Sequence, residues 1–456
     1  MKFIVVPDSF KGALSARDAA AAISRGIVSI FPDATPLQLP MADGGEGTVE
    51  ALASAKKTGE NGEFPRRATA TVAGPLGEPV AATYAFIDER TAVLEMASAA
   101  GLPLMVGGLD VGGASTFGVG ELLRHAVERG ARRVLIGAGG SATHDVGCGA
   151  AVALGVHFLD ASGANFVPTG ATLEQVARVD CSGVGAPMRD VEITVLADID
   201  NPLVGPRGAA AVFAPQKGAD AEMVERLEAG SAHVAEVFAR DVGVVSTTRA
   251  NGTASTAEGR FIANMPGAGA AGGFAGGLAA LFGARIRPGI DALLDAVSFD
   301  ELLDELAGGE AGPGTVAGSG TVAGSGTAAS AGSAPEPIVV FTAEGQIDGQ
   351  SLSGKVPVGV ARRVRDWAAR RVADPASGVA ASPLPQAPIT VEPPISVIVL
   401  AGAVGDELDA VYAEGVTSVF PIGQRPESLE DAMASTAKNL ESTAANVARL
   451  LSQNSW

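Results

Sequence analysis

The chain has 456 residues, 47% of them apolar, and 32 basic against 51 acidic side chains give a formal net charge of −19. That acidity excludes the basic surfaces that nucleic acids and anionic membranes select, though not a phosphorylated ligand held locally by metal ions and helix ends. The length implies two or three domains. The two cysteines, Cys148 and Cys181, make neither a disulfide scaffold nor a zinc site, which points to a reducing cytoplasm.

From the start of the chain, "KFIVV" predicts a strand ending at Pro7, and the apolar run is too short for a signal peptide's core. Ser15 and Asp18 have capping-box spacing ahead of a helix over 16–30, and "TPLQL" predicts a second strand. "VVPDSFKGALSA" sets Asp8, Ser9 and Lys11 beyond the carboxyl end of the first strand, where open α/β sheets bind ligands. After the second strand, "PMADGGEGTVEAL" sets Asp43 and Glu46 among Gly44, Gly45 and Gly47 at the mouth of a helix. Open amides beside carboxylates suit phosphate oxygens bridged by Mg2+.

The middle, roughly 75–290, has another texture. "AVLEMASAAGL", "RRVLIGAGG" and "VEITVLADIDNPL" predict strands feeding loops, and "TFGVGELLRHAVERG" a helix capped by Ser115 or Thr116 and stopped at Gly130. "LIGAGGSATHDVGCGAAVALGVHFLD" supports two readings. Gly137, Gly139 and Ala142, with Asp160 downstream, fit the dinucleotide fingerprint of a dehydrogenase, but Gly147 and Gly149 interrupt the helix it needs. Alternatively Gly139, Gly140, Ser141, Ala142 and Thr143 cradle a phosphate with Asp145 beside them. "LADIDNPLVG" offers Asp198, Asp200 and Asn201 after a strand, and "FAPQKGA" offers Gln216 and Lys217. The uncharged run 261–284 is mostly Gly and Ala, whereas a bilayer span needs about 20 strongly apolar residues. It predicts a buried helix over 268–282, whose small residues let another backbone or a ligand approach.

Residues 307–336 and 373–394 are Gly/Ser/Ala- and Pro/Ala-rich and predict surface inserts. Around them the alternation returns: a strand at 337–343, a helix at 357–371, strands "ISVIVLAG" and "SVFPI", and helices at 426–436 and 438–453. Apolar strands alternating with helices mean a parallel sheet covered on both faces. In "TAEGQIDGQSLSGKVPVGVA", Gly349, Gly354 and Lys355 fit the spacing of a P-loop. Val356 lacks the metal-binding hydroxyl and the predicted strand stops too early, so the P-loop reading is set aside. Lys355 stands instead before a helix with Pro357 in its first turn, where an anion is favoured, and Glu344 and Asp348 add carboxylates.

Seven motifs in order, "DSFKGALSA", "ADGGEGT", "GGSATHDVG", "DIDNPLVG", "APQKGA", "PGAGAAGG" and "AEGQIDGQSLSGKVPVGVA", resemble the bacterial glycerate kinase family of the glycerate 2-kinase-like type. They span nearly the whole chain apart from the two inserts. The resemblance implies ATP- and Mg2+-dependent phosphorylation of D-glycerate in organic acid catabolism, with 2-phosphoglycerate rather than 3-phosphoglycerate the product. It implies an α/β fold: a discontinuous Rossmann-like parallel-sheet domain, 1–75 plus 291–456, with a second α/β domain, 76–290, inserted. On this resemblance Lys11, Lys217 and Lys355 neutralise phosphate or carboxylate oxygens, and Asp8 or Asp198 accepts the hydroxyl proton. Asp43, Glu46, Asp145, Glu344 and Asp348 hold the metal. Ser9, Gly44, Gly45, Gly47, Gly139, Gly140, Ser141, Thr143, Asn201, Gln216 and Gly354 line the substrate and phosphates. Two residues depart from the family pattern: His144 stands where Asn is usual and Ala343 where Gly is usual. The partner expected is a small molecule, not nucleic acid or membrane, and a homo-oligomer is compatible with the sequence. Two rival classes are an NAD-dependent oxidoreductase built on Gly137-x-Gly139-x-x-Ala142 and a non-catalytic two-domain binding protein.

Overall fold

The computed structural model describes residues 1–42, 44–45, 47–55, 64–242, 262–308, 336–373 and 394–453. Asp43 and Glu46, and nearly all of the two expected inserts, lie outside the described residues. The chain divides into two compact units: Met1–Asp43, Glu50–Glu63 and Ile290–Trp456 in the first, and Gly44–Val49 and Phe64–Gly289 in the second. Strands are numbered in chain order.

In the first unit, β1 (Lys2–Pro7), β2 (Leu37–Gln38), β12 (Ile338–Ile347), β13 (Ile395–Val404) and β14 (Ser418–Pro421) form a parallel sheet in the order β14-β13-β12-β1-β2. Both termini therefore build one sheet. β1 is buried from Phe3 onward on both faces, which explains its unbroken β-branched and aromatic run. One face is covered by the helices Ala16–Val28 and Thr436–Ser452, which bring Ile23, Ile27, Leu440 and Val447 onto Phe3, Val5, Phe341 and Leu400. The Ser15 hydroxyl accepts the Asp18 amide at 3.1 Å, as the capping spacing predicts. These helices touch at Gly26, where an added Cβ would stand 2.3 Å from the Glu441 carbonyl oxygen.

In the second unit, β3 (Arg66–Ala73), β4 (Pro79–Phe86), β5 (Thr91–Glu95), β6 (Arg133–Gly137), β10 (Glu192–Leu196) and β11 (Arg285–Arg287) form a mixed sheet in the order β11-β10-β6-β5-β4-β3. β7 (His157–Leu159), β8 (Asn165–Phe166) and β9 (Arg178–Asp180) make a small antiparallel sheet. The expected boundary at 75/76 falls too late, because β3 pairs antiparallel with β4 along its whole length, from Arg66↔Phe86 to Ala73↔Pro79.

The Gly/Ala-rich run differs from expectation too. Its helix is only Phe274–Phe282, because Ala271, Gly272 and Gly273 all take positive φ and hold the chain in turns before it. Its glycines serve close approach. A Cβ at Gly277 would lie 1.8 Å from the Val146 carbonyl oxygen, and one at Gly272 would lie 2.2 Å from that of Thr143. The run is a bed for segment 143–146. Among the described residues no helix is long and apolar enough to cross a membrane.

Candidate active site

In the first unit, β1 ends at the loop carrying Asp8, Ser9 and Lys11. Asp8 is buried; its amide donates to the Ala343 carbonyl at 2.8 Å, and one carboxylate oxygen accepts the Ser9 amide at 2.6 Å. Lys11 is exposed in the following turn. The neighbouring β12 runs to Ile347 rather than stopping at 343, so strand length gives no argument against a P-loop. The chemistry still does: the segment Gly349–Ser353 is a 3-10 turn, and Val356, without a hydroxyl, opens the helix Val356–Ala373. Glu344 is buried within β12, accepts the Ser351 hydroxyl at 2.7 Å, and lies 3.9 Å from the Lys355 ammonium. Lys355 follows Gly354, whose φ of +110° turns the chain into the helix. The Asp348 carboxylate accepts the Gln346 amide at 2.7 Å.

In the second unit the "GGSATHDVG" segment runs between β6 and the helix Cys148–Ala153. Ser141, Thr143, His144 and Asp145 are all buried, and so is Lys217, which is only 3% exposed. The Lys217 ammonium donates to the Ser141 hydroxyl oxygen and to the Thr143 carbonyl, each at 2.8 Å. A lysine is seldom buried without a partner carboxylate; here burial draws its pKa down to about 7, against an upward pull from Asp145. His144 Nε2 lies 3.0 Å from the Ser231 hydroxyl. Burial, reinforced by Lys217, holds the imidazole at about 3, so it is neutral at physiological pH.

Asp145, expected as a metal ligand, has its carboxylate engaged by the protein itself. Its carboxylate accepts the Thr116 amide at 2.7 Å, the Thr116 hydroxyl at 2.8 Å, and the Gly147 and Gly149 amides at 3.0 and 3.2 Å. It ties the N-terminal ends of the helices Phe117–Glu128 and Cys148–Ala153 together, which satisfies orphan donors on both. Burial raises its pKa, and the hydrogen bonds from Thr116, Gly147 and Gly149 oppose that rise. The Thr116 side chain does not cap its own helix; its hydroxyl accepts the Ala150 amide of the other helix at 2.9 Å, while the Ser115 hydroxyl accepts the Phe117 amide at 3.2 Å.

Gly44, Gly45, Gly137 and Gly139 pack backbone against backbone: a Cβ on Gly137 would lie 2.6 Å from the Gly44 carbonyl oxygen, and one on Gly139 2.6 Å from the Gly45 Cα. The Gly139 amide donates to Gly44, the Gly140 carbonyl accepts from Leu102, and the Ala142 amide donates to Ala100. These groups brace one loop on another. The dinucleotide reading falls with them: ten residues separate β6 from the six-residue helix Cys148–Ala153, and Asp160 sits in a β-turn accepting from Ser162 and Ala164.

The other candidates are placed as follows. Asp198 accepts the Gly289 amide at 2.7 Å; the Asn201 side-chain amide donates to the Arg207 carbonyl; Gln216 is exposed beside Lys217; Gly47 has φ +94°. Sequence reasoning passed over Ser231. Its signal was readable: it interrupts the apolar stripe Leu227, Val234, Phe238 on the buried face of the helix Ala221–Asp241.

The family model described as "Glycerate kinase family" matches residues 3–312, 307–381 and 383–452. A glycerate kinase of Bacillus subtilis (strain 168) is 37% identical over 450 residues, covering 98% of this chain and 97% of that protein. A glycerate 2-kinase of Escherichia coli (strain K12) is 33% identical over 453 residues, covering 99% and 98%. The crystal structure of a chain described as a glycerate kinase 2 from Salmonella typhimurium LT2 superposes with a TM-score of 0.73 at 34% identity, covering 99% of this chain and 98% of that one.

Proposed function

The chain belongs to the glycerate kinase family, a family of kinases that use ATP on an alcohol acceptor, and from that premise we propose that it phosphorylates D-glycerate with Mg2+, giving 2-phosphoglycerate. The observation that carries the site is Lys217. An ammonium has three donors, and two are taken by Ser141 and Thr143, which leaves one for a ligand oxyanion. In a buried setting that single contact is far stronger than in water. Lys355, at the head of a helix, is the second anion-binding group, reinforced by the helix dipole.

Phosphoryl transfer asks for positioning and charge neutralisation more than for covalent chemistry. Asp8 or Asp198 would accept the proton of the attacking hydroxyl. Mg2+ takes one or two protein carboxylates plus phosphate oxygens, so a partial ligand set suffices. Among the described residues there is no cluster of three or more His, Cys, Asp or Glu side chains that could hold a metal ion. Glu344 and Asp348 are the described carboxylates that suit it, with Asp43 and Glu46 the remaining acids proposed. When bound there, the ion would supply positive charge that neutralises the phosphates.

The test is ADP release by the purified chain with D-glycerate and Mg·ATP, with phosphorus NMR of the product to distinguish the 2- from the 3-phosphate. Folded protein that releases no glycerate-dependent ADP would overturn the proposal. Product phosphorylated at the 3-position would overturn the regiochemistry alone.

A further inference from the structure

We infer that an oxyanion reaching the Lys217 amine is bound together with a proton, which this side chain takes up as the ligand arrives. The inference rests on the reading of Lys217 as an anion seat and adds to it the protonation state of the amine before the ligand arrives.

Lys217 ends the short 3-10 turn Pro215–Lys217, and Gly218 at φ +92° turns the chain away behind it. Its side chain is almost wholly removed from water, and both groups it donates to, the Ser141 hydroxyl and the Thr143 carbonyl, are neutral. Among the described residues no carboxylate lies within salt-bridge distance of it. Two titratable groups face it from the segment after β6. Asp145 attracts it from a distance, but the oxygens of that carboxylate are occupied by Thr116, Gly147 and Gly149. His144 is buried, uncharged and held by Ser231, so it offers no counter-charge. A buried ammonium with only neutral acceptors is costly, and the cost is relieved by shedding the proton. Burial accordingly brings the amine to about 7, where neutral and charged forms coexist. An anion within hydrogen-bonding reach reverses the balance, because it favours the charged form. Anion binding and proton binding at this side chain are therefore linked, and each strengthens the other.

The chemistry of the amine selects an oxyanion, and two sources exist: the carboxylate of a hydroxy acid and the phosphate of a nucleotide. Calorimetric titration separates them. D-glycerate, inorganic phosphate and Mg·ADP are each titrated at pH 7.5 in buffers of low and high ionisation enthalpy. The slope of the observed enthalpy against that ionisation enthalpy counts the protons taken up. For the ligand that sits on Lys217, about three quarters of a proton is expected at pH 7.5, the neutral share of an amine titrating near 7. Its dissociation constant should rise about tenfold per pH unit above that value. Lys217→Met should abolish the uptake and weaken that ligand alone. No proton uptake and a pH-flat affinity for the ligand that Lys217→Met weakens overturns the inference while leaving the seat intact. Uptake that survives in Lys217→Met overturns it as well, by assigning the proton to another group. Unchanged affinity for all three ligands in a folded Lys217→Met protein overturns the seat itself. The pH dependence of the wild-type affinity decides the matter even where the variant fails to fold.

Discussion

Two buried bases, Lys217 and His144, both hold their proton less tightly in the folded chain, so each makes stability rise with pH, in different windows. His144 titrates near 3 in the folded chain against an ordinary 6.5. Between those values the unfolded chain holds a proton that the native one refuses, so stability is lost as pH falls through that window. His144→Asn should flatten the acid limb of the melting curve between pH 6 and pH 4, and an unchanged limb would show that the imidazole is not held neutral. Lys217 titrates near 7 against 10.5. The unfolded chain binds more protons between those values, so its share of stability rises with pH across the same interval. Lys217→Met strands the Ser141 and Thr143 acceptors, a pH-independent cost of about 1–3 kcal/mol. Relative to the parent, its melting temperature should therefore be highest near pH 6 and decline towards pH 10. Parallel curves across that range would contradict the burial argument. Asp145→Asn places an amide NH2 against backbone donors already aimed at the carboxylate. A loss on the order of 2–4 kcal/mol in urea unfolding is expected from unmatched buried donors, with turnover falling in step because segment 141–145 carries the Lys217 acceptors.

At the scale of elements, the helix Phe274–Phe282 is the clearest case of sequence that reads correctly in kind and wrongly in purpose. Its small residues do admit another backbone, as composition suggests, and that backbone is the chain's own segment 143–146. Gly277→Ala would press a methyl into the Val146 carbonyl, 1.8 Å away, so the segment must move. A loss of about 2–3 kcal/mol is expected from overpacking, together with weaker ligand binding at Lys217. Ala279→Gly, on the same helix but half-buried, should cost only about 1 kcal/mol of helix propensity and leave binding intact. Equal effects from the two would mean that the Gly277 contact does not position the site. The same distinction explains where the sequence was opaque. β1, β12 and β13 were legible because strands covered on both faces must be apolar throughout. The glycines at 44, 45, 137 and 139 were not, because close backbone packing and phosphate cradling ask for the same missing Cβ. Asp145 is ambiguous for a like reason: a carboxylate in a glycine-rich loop suits a metal and a pair of helix ends equally well, and the structure shows its bonds to the helix ends.

At the scale of the molecule, connectivity fixes an order of events. β1 lies between β12 and β2, with Lys2↔Ile338 through Pro7↔Ala343 in parallel register, and β2 pairs with it at only two positions. The first strand made is therefore stitched into its sheet by residues more than three hundred positions later. The second unit has no such debt to the far end: β6 finds β5 and β10 within its own continuous stretch, around Tyr84, Phe86, Ile136, Ile193 and Val195. Alternation in the sequence announced that both ends are α/β, and the shared motif order announced the insertion, but the pairing of β1 with β12 rests on contacts that no local pattern encodes. Closing such long-range pairs costs entropy before it returns contacts, so the second unit should form first and β1 last. Hydrogen exchange on a chain ending at residue 308 tests this. The amides of Leu135 and Ile136 in β6 should stay protected in that shortened chain. Those of Ile4 and Val5 in β1 should exchange at nearly unfolded rates, and should be protected only when residues 336–453 are present. Protection of Ile4 and Val5 in the shortened chain would mean that β1 has a partner other than β12, and the order argued from the sheet would fall.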